Sequence, residues 1–304
     1  MEQKEKKKRV YEEVLCGQKI IRKENGDPEN RIHVQKQNGV VYLTFPILER
    51  LDGITHAFST RLGGVSEGDV GTLNLSFSRE PDREKVAENH RRLAAAAGYP
   101  VERMVFSSQT HTINVRVVTE EDQGKGYTVG QDFDDVDGLV TNVPGIPLVT
   151  FYADCVPLLM VDPVHRAIGC SHSGWKGTVA NMGKETLKVM EQEYGTDPKD
   201  VYAAIGPSIC QDCYEVSSDV IVQFRRAYPE ELWPLLFYPT SEEKYQLNLW
   251  EACRQNFLAA GMLPEHIAMP DICTCCNPGF LFSHRASHGK RGNLAAVLML
   301  DCRP

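Results

Sequence analysis

The stretch YADCVPLLMVDPVHRAIGCSHSGWKG, residues 152–177, sets Asp154 and Cys155 near one end and His172 toward the other. The apolar run after the cysteine and the shorter one before the histidine read as two buried strands, each with a soft or borderline ligand near an end. A thiolate and an imidazole are ligands that a catalytic metal takes, and such a centre commonly uses three protein ligands and keeps a fourth position open. Of the nine histidines, His111 is the best third ligand, because SSQTHTINV is a polar turn inside an otherwise β-like segment. His56 falls mid-strand as a core or edge residue, and His90 falls on the exposed part of a helix. His33, His165 and His266 lie in polar or turn contexts. Spacing alone leaves two readings open. Either His111, Cys155 and His172 form a metal triad, or His172 caps a loop, Cys155 packs as a small hydrophobe and His111 is solvated.

A second chemical feature is FSTRLGGVS, residues 58–66. Arg61 is a permanently charged fork suited to phosphate or a ribose oxygen. Gly63 and Gly64 would let the backbone approach an anion closely. A tight turn with a surface arginine explains the same pattern. Gln109 alternates with His111 and should face the same side, whereas Asp154 should point opposite to Cys155 and serve a supporting role. Trp175 can stack on a purine or simply pack.

These residues need elements to position them. GVVYLTFPIL from residue 39 reads as a strand, and His56 to Thr60 as another that enters the glycine-rich loop. PDREKVAENHRRLAAAAG, residues 81–98, reads as a helix capped by Asp82 and stopped by Gly98. More strands are expected in 101–119, 135–142, 146–162, 167–174 and 201–208, with helices over 178–195, 217–228 and 249–260. NLAAVLML reads as a final buried strand. Residues 1–35 read as a polar N-terminal extension, loosely attached, whose KEKKK run is a solvated face or frayed end. Residues 36–304 read as a single catalytic domain. With no fixed-period repeat and no GxGxxG after a strand, the fold expected is α/β (α+β), with mixed β-sheets in a layered sandwich and helices outside.

The bulk numbers agree with an ordinary globular chain. It has 304 residues, 42% of them hydrophobic and 24% charged. The net charge of −8 argues against a nucleic-acid partner, though not against a small anion held in a locally basic pocket. The basic N-terminus lacks the apolar stretch of a secretory signal, and no apolar run is long enough for a membrane span. The expected compartment is the cytoplasm, where ten cysteines read as thiols and ligands rather than a disulfide framework. Oligomeric state is not legible.

Seven stretches in order, FSTRLGGVS, SSQTH, DVDGLVTN, ADCVPLL, HSGWKGTV, IGPSICQDCYEV and CTCCNPGFLFSHR, resemble the YfiH/YlmD family. That family carries the label of multicopper polyphenol oxidoreductase (laccase) and includes a purine nucleoside phosphorylase branch. The resemblance runs from residue 56 to 300. It implies a zinc held by His111, Cys155 and His172, with Arg61 in the active site as a substrate or phosphate ligand. The segment SHRASHGKRG departs from the family's usual YRR-like pattern, which puts substrate detail in doubt; Arg285 would still reach the pocket. The resemblance treats Cys213 and Cys273 as positions outside its metal site. The Cys210-x2-Cys213 and Cys273-x-Cys275-Cys276 clusters, although spaced as a structural zinc site would be, are therefore not expected to hold a second metal.

Four functions follow from different classes. The first is a zinc-dependent purine nucleoside phosphorylase acting on adenosine, inosine, guanosine or methylthioadenosine with phosphate, and perhaps an adenosine deaminase as well. The second is a copper polyphenol oxidase. Copper would compete for the same ligands, but a multicopper site needs paired imidazoles and the chain has no HxH. The third is a hydrolase editing peptidoglycan precursors. The last is a binding protein with a structural zinc, disfavoured because only three ligands are evident.

Overall fold

The computed structural model describes residues 10–24 and 27–302. The strands run β1 Val10–Leu15, β2 Gln18–Lys23, β3 His33–Gln37, β4 Val40–Thr44, β5 Ile54–Ser59, β6 Val105–Phe106, β7 Val115–Val117, β8 Gly138–Thr141, β9 Leu148–Tyr152, β10 Val156–Asp162, β11 Ala167–Ser173, β12 Tyr202–Ile205, β13 Glu215–Ser217, β14 Phe237–Pro239, β15 Lys244–Leu247, β16 Ile267–Ala268 and β17 Leu294–Leu300. The helices are α1 Pro46–Glu49, α2 Arg83–Ala97, α3 Trp175–Val179, α4 Met182–Tyr194, α5 Ser218–Ala227, α6 Trp233–Leu236 and α7 Leu249–Ala259. No helix among the described residues is long and apolar enough to cross a membrane.

Two six-stranded sheets carry the fold, one ordered β3-β4-β5-β17-β9-β6 and the other β16-β12-β10-β11-β8-β7. Most pairs are antiparallel, while β6·β9, β7·β8 and β12·β16 are parallel. The strands are apolar on both faces because both faces are covered. In β17, Leu294, Ala296, Leu298 and Leu300 point into the space between the sheets, whereas Ala295, Val297 and Met299 point to a second core under α2. In β10, Leu159 and Val161 face the inter-sheet core, while Val156, Leu158 and Met160 face a third core built with α4, α5 and α7. The result is a helix–sheet–sheet–helix sandwich, the layered mixed-sheet architecture expected from the sequence.

Local chemistry sets the element ends. The Asp82 carboxylate accepts a hydrogen bond from the Glu84 N–H at 3.1 Å, and Gly98 closes α2 in the left-handed region at φ 83°. His90 corrects the expectation of an exposed position. It shares a face with Val86 and Leu93, is 1% exposed, and donates through Nε2 to the Leu75 carbonyl at 2.9 Å. His56 is also buried, and its Nε2 accepts from the Phe45 N–H at 2.8 Å. Burial disfavours the charged imidazole in both and lowers each to about 4.

Residues 10–23 are tied down more firmly than a loosely attached extension would be. β1 and β2 form a hairpin, and Ile20 is wholly buried in the inter-sheet core. The guanidinium of Arg22 donates to Asp271 at 2.6 Å, and Lys23 donates to Asp212 at 2.9 Å. The KEKKK run expected to be a solvated face lies outside the described residues.

Candidate metal centre

The three sequence-predicted ligands come from both sheets. Cys155 sits in the crossing from β9 to β10, which lie in different sheets, and His172 is near the end of β11. His111 is carried by the loop between β6 and β7, which also joins the two sheets. Nothing local in the sequence makes these segments meet; an antiparallel bridge between Ser108 and Val136 sets the His111 loop beside Asp137. One donor atom from each of His111, Cys155 and His172 falls within 4.8 Å of the others. Cys155 Sγ lies 3.9 Å from His111 Nε2, and the two imidazoles stand edge-on at 81° with centroids 5.0 Å apart.

Asp137, fully buried at the head of β8, organises this corner. Its carboxylate accepts from the backbone N–H groups of Thr110, His111 and Thr112 at 2.8, 3.2 and 3.2 Å. It also accepts from His172 Nδ1 at 2.6 Å. With Nδ1 engaged, His172 turns Nε2 toward the other two ligands, the support that metal-binding histidines commonly receive. Burial would raise the Asp137 carboxyl, but the His172 bond and the backbone donors hold it below the usual carboxylate range. Burial would likewise push the Cys155 thiol up, yet His172 and His111 beside it bring it down to about 6. The same contacts, Cys155 first and Asp137 next, lift His172 to about 9 against its burial.

His111 and Asp154 hold left-handed backbone conformations at φ 70° and 89°, which non-glycine residues rarely adopt. Asp137 fixes the first. The second is fixed by Asp154 itself: its carboxylate accepts from Thr274 Oγ1 at 2.6 Å and from the Arg285 N–H at 2.7 Å, and its carbonyl accepts from the Ile209 N–H at 3.0 Å. Gly174 is required by close approach. A Cβ there would stand 2.9 Å from His111 Cδ2 and 3.2 Å from Cys155 Sγ.

The donor set fits a metal ion. Tetrahedral binding by two imidazoles and a thiolate puts donors roughly 3.3–3.6 Å apart, so the observed spacing needs only small side-chain movements. Three protein ligands leave a position free.

Other sequence-predicted residues turn out to hold the frame. Arg61, expected as a substrate or phosphate ligand, donates from Nε and Nη2 to the Gly71 carbonyl at 2.9 and 2.7 Å and from Nη1 to the Pro278 carbonyl at 2.7 Å. Its guanidinium also lies 4.7 Å from the Phe282 ring centroid. Gly63 and Gly64 do not form an open anion cradle. Both N–H groups donate to Thr72 Oγ1 at 3.2 Å, and a Cβ on Gly64 would stand 2.2 Å from the Thr72 carbonyl oxygen. The Gln109 amide pairs with both backbone groups of Phe151 on β9. Arg285 donates to the carbonyls of Cys213 and Glu215 over the Tyr214 ring. Trp175, first in α3, packs at the edge of the third core.

The sequence reading missed Asp137, Gly174 and Arg291. Arg291 is half-buried and its Nε has no partner among the described residues. Burial lowers it to about 10 and Arg79 adds to the fall, while Asp154 and Cys155 oppose it. It is thus a cation within electrostatic reach of the triad. The SHRASHGKRG segment signalled a basic run there but not which arginine keeps free donors.

The family model described as multi-copper polyphenol oxidoreductase laccase matches residues 55–301. The chain is 36% identical over 250 residues to the purine nucleoside phosphorylase YlmD of Geobacillus stearothermophilus, covering 81% of this chain and 90% of that protein. It is 32% identical over 246 residues to the adenosine deaminase RL5 of an unknown prokaryotic organism, covering 78% and 93%. The crystal structure of YlmD from Geobacillus stearothermophilus superposes with a TM-score of 0.82 at 34% identity, covering 90% of this chain and 99% of that one. The chain belongs to the laccase-like family of YfiH and YlmD, described as multi-copper polyphenol oxidoreductases.

Proposed function

We propose that the chain is a zinc-dependent purine nucleoside phosphorylase. The observation that carries this reading is a three-ligand centre, one position short of a full zinc set, within electrostatic reach of the half-buried Arg291. The names of the relatives support it. His111, Cys155 and His172 would hold the zinc, which when bound supplies a Lewis acid without redox chemistry.

Phosphorolysis forms a bond from a phosphate oxygen to C1′ of the ribose and breaks the bond to the purine nitrogen, whose electron pair leaves with the base. Positive charge develops on the sugar and negative charge on the leaving base. Arg291, on which Arg79 acts electrostatically, supplies the cation for phosphate, while Arg61 uses three of its five N–H donors on the Gly71 and Pro278 carbonyls. Asp137 keeps the proton on His172 Nδ1, which would leave Nε2 available to hold the metal. Trp175 is assigned to packing against the neighbouring core.

The test incubates the metal-analysed protein with inosine and with adenosine, with and without phosphate, and separates the products. Free base and ribose phosphate should appear only with phosphate, and His172→Ala should abolish them. Inosine formed from adenosine would reveal deamination at the same centre. Unaltered nucleosides in a zinc-loaded protein would overturn the proposal.

A further inference from the structure

A second thiol cluster lies outside the centre described above. Cys210, Cys213, Cys273 and Cys276 bring four sulfurs within 4.8 Å of one another. The sulfurs of Cys213 and Cys276 are 3.5 Å apart and those of Cys210 and Cys276 are 4.0 Å apart. These distances bracket the edge of about 3.8 Å that four sulfurs take around one zinc at about 2.3 Å. They are too long for disulfides, whose S–S bond is about 2.05 Å, and all four cysteines are free. Cys275 stands outside the group.

The backbone around the cluster is arranged as a thiolate centre needs. The Cys210 and Cys276 N–H groups both donate to Cys273 Sγ, at 3.2 and 3.4 Å. Such donors favour a thiolate over a thiol. A turn of 3-10 helix, Gln211–Cys213, folds the first pair back on itself. The ammonium of Lys23, 8% exposed, bonds Asp212 between the first two cysteines and is influenced by the Cys210 and Cys276 sulfurs. Four thiolates around a divalent ion are doubly negative, and a buried lysine beside them offsets part of that charge.

We infer that Cys210, Cys213, Cys273 and Cys276 bind a structural zinc ion, separate from the three-ligand centre. Binding converts four thiols to thiolates and releases their protons to solvent. The site has no open position and does no chemistry on a substrate. Its role is to join three distant segments. The hairpin reaches it through Lys23, and through the pairing of the Ile21 backbone with the Asn277 side chain at 2.6 and 2.9 Å. The loop before β13 brings Cys210 and Cys213. The loop after β16 brings Cys273 and Cys276, with Thr274 between them bonded to Asp154. The ion thereby steadies the residue that precedes Cys155, and reaches the first centre without touching it.

The test counts metal. Protein purified with reductant and zinc should hold two zinc ions per chain. His172→Ala should keep one, in the four-cysteine site, and Cys276→Ser should keep one, in the other. Cobalt loaded into the His172→Ala protein should give the intense sulfur-to-metal absorption of a four-thiolate tetrahedron. If Cys276→Ser fails to fold, the metal count and cobalt spectrum of His172→Ala still decide. The inference is overturned if wild-type protein holds one zinc and His172→Ala holds none. It is equally overturned if these four cysteines alkylate freely in folded, zinc-saturated protein, or if they are found paired as disulfides.

Discussion

The two cysteine-bearing centres differ in almost every respect that decides what such a group can do. The first has three donors of two chemical kinds, an exposed His111, and two neighbouring backbone positions in the left-handed region. Its geometry is held by a side chain, the carboxylate of Asp137. The second has four identical donors, with sulfur hydrogen bonds that come from the backbone itself. An incomplete ligand set with an imposed geometry suits reaction, whereas a complete set supported by main-chain donors suits holding segments together. Metal-ligand residues alone do not separate these roles; donor number and the source of the supporting hydrogen bonds do.

Acid is the coarsest way to break the comparison, because it acts on the frame beneath both centres. His56 and His90 are buried and lowered to about 4, whereas an unfolded histidine takes up its proton near 6.5. The unfolded state therefore binds the proton first as pH falls. The stability these two residues contribute is full above about 6.5 and is lost down to about 4. At pH 5 the loss is about 2 kcal/mol for each histidine. Denaturant unfolding at pH 8 and pH 5 would measure it. His90→Gln, which can still donate to Leu75, should flatten the acid limb, and an unchanged slope would refute the assignment.

Asp137→Asn separates the centres more selectively. Its loss of charge should weaken metal binding at the His111, Cys155 and His172 site by about 10–100-fold and leave the four-cysteine site as it was. Competition with a chromophoric chelator, read as two classes of zinc, would detect this. Equal weakening of both classes would contradict the separation.

Arg291→Gln probes the cation proposed for phosphate and should have the smallest effect. The KM for phosphate should rise about tenfold, about 1.4 kcal/mol, with a smaller change in kcat and both metals retained. Arg61→Gln should instead lower the melting temperature, because its bonds to Gly71 and Pro278 tie a loop to the C-terminal region. If Arg61→Gln raised the KM for phosphate without loss of stability, the roles given to the two arginines would be reversed.

Much of the frame was legible in the sequence. The capping Asp82, the stop at Gly98 and the apolar run of β17 follow from short-range rules that need no partner. His111, Cys155 and His172 were legible as ligand types near strand ends, and the family motifs ordered them. His90 was misread although Val86 and Leu93 share its face, because a polar residue on a helix was given to solvent without checking that face. The four-cysteine cluster was visible as two short pairs, but no local rule brings together residues some sixty positions apart.

The sequence by itself determined which residues can bind a metal, where helices begin and end, and that both faces of the main strands are apolar. Only the tertiary structure decided which donors meet and which charged side chains stay free. Arg61 is a charged fork by its type alone, but only the fold sets the Pro278 carbonyl, 217 positions away, against its Nη1. Asp137 had no assigned role until two loops closed over it. The physical reason is common to both. A side chain's chemistry is intrinsic to its type, but its hydrogen-bond partners and the solvent it loses are set by chain segments that arrive from elsewhere.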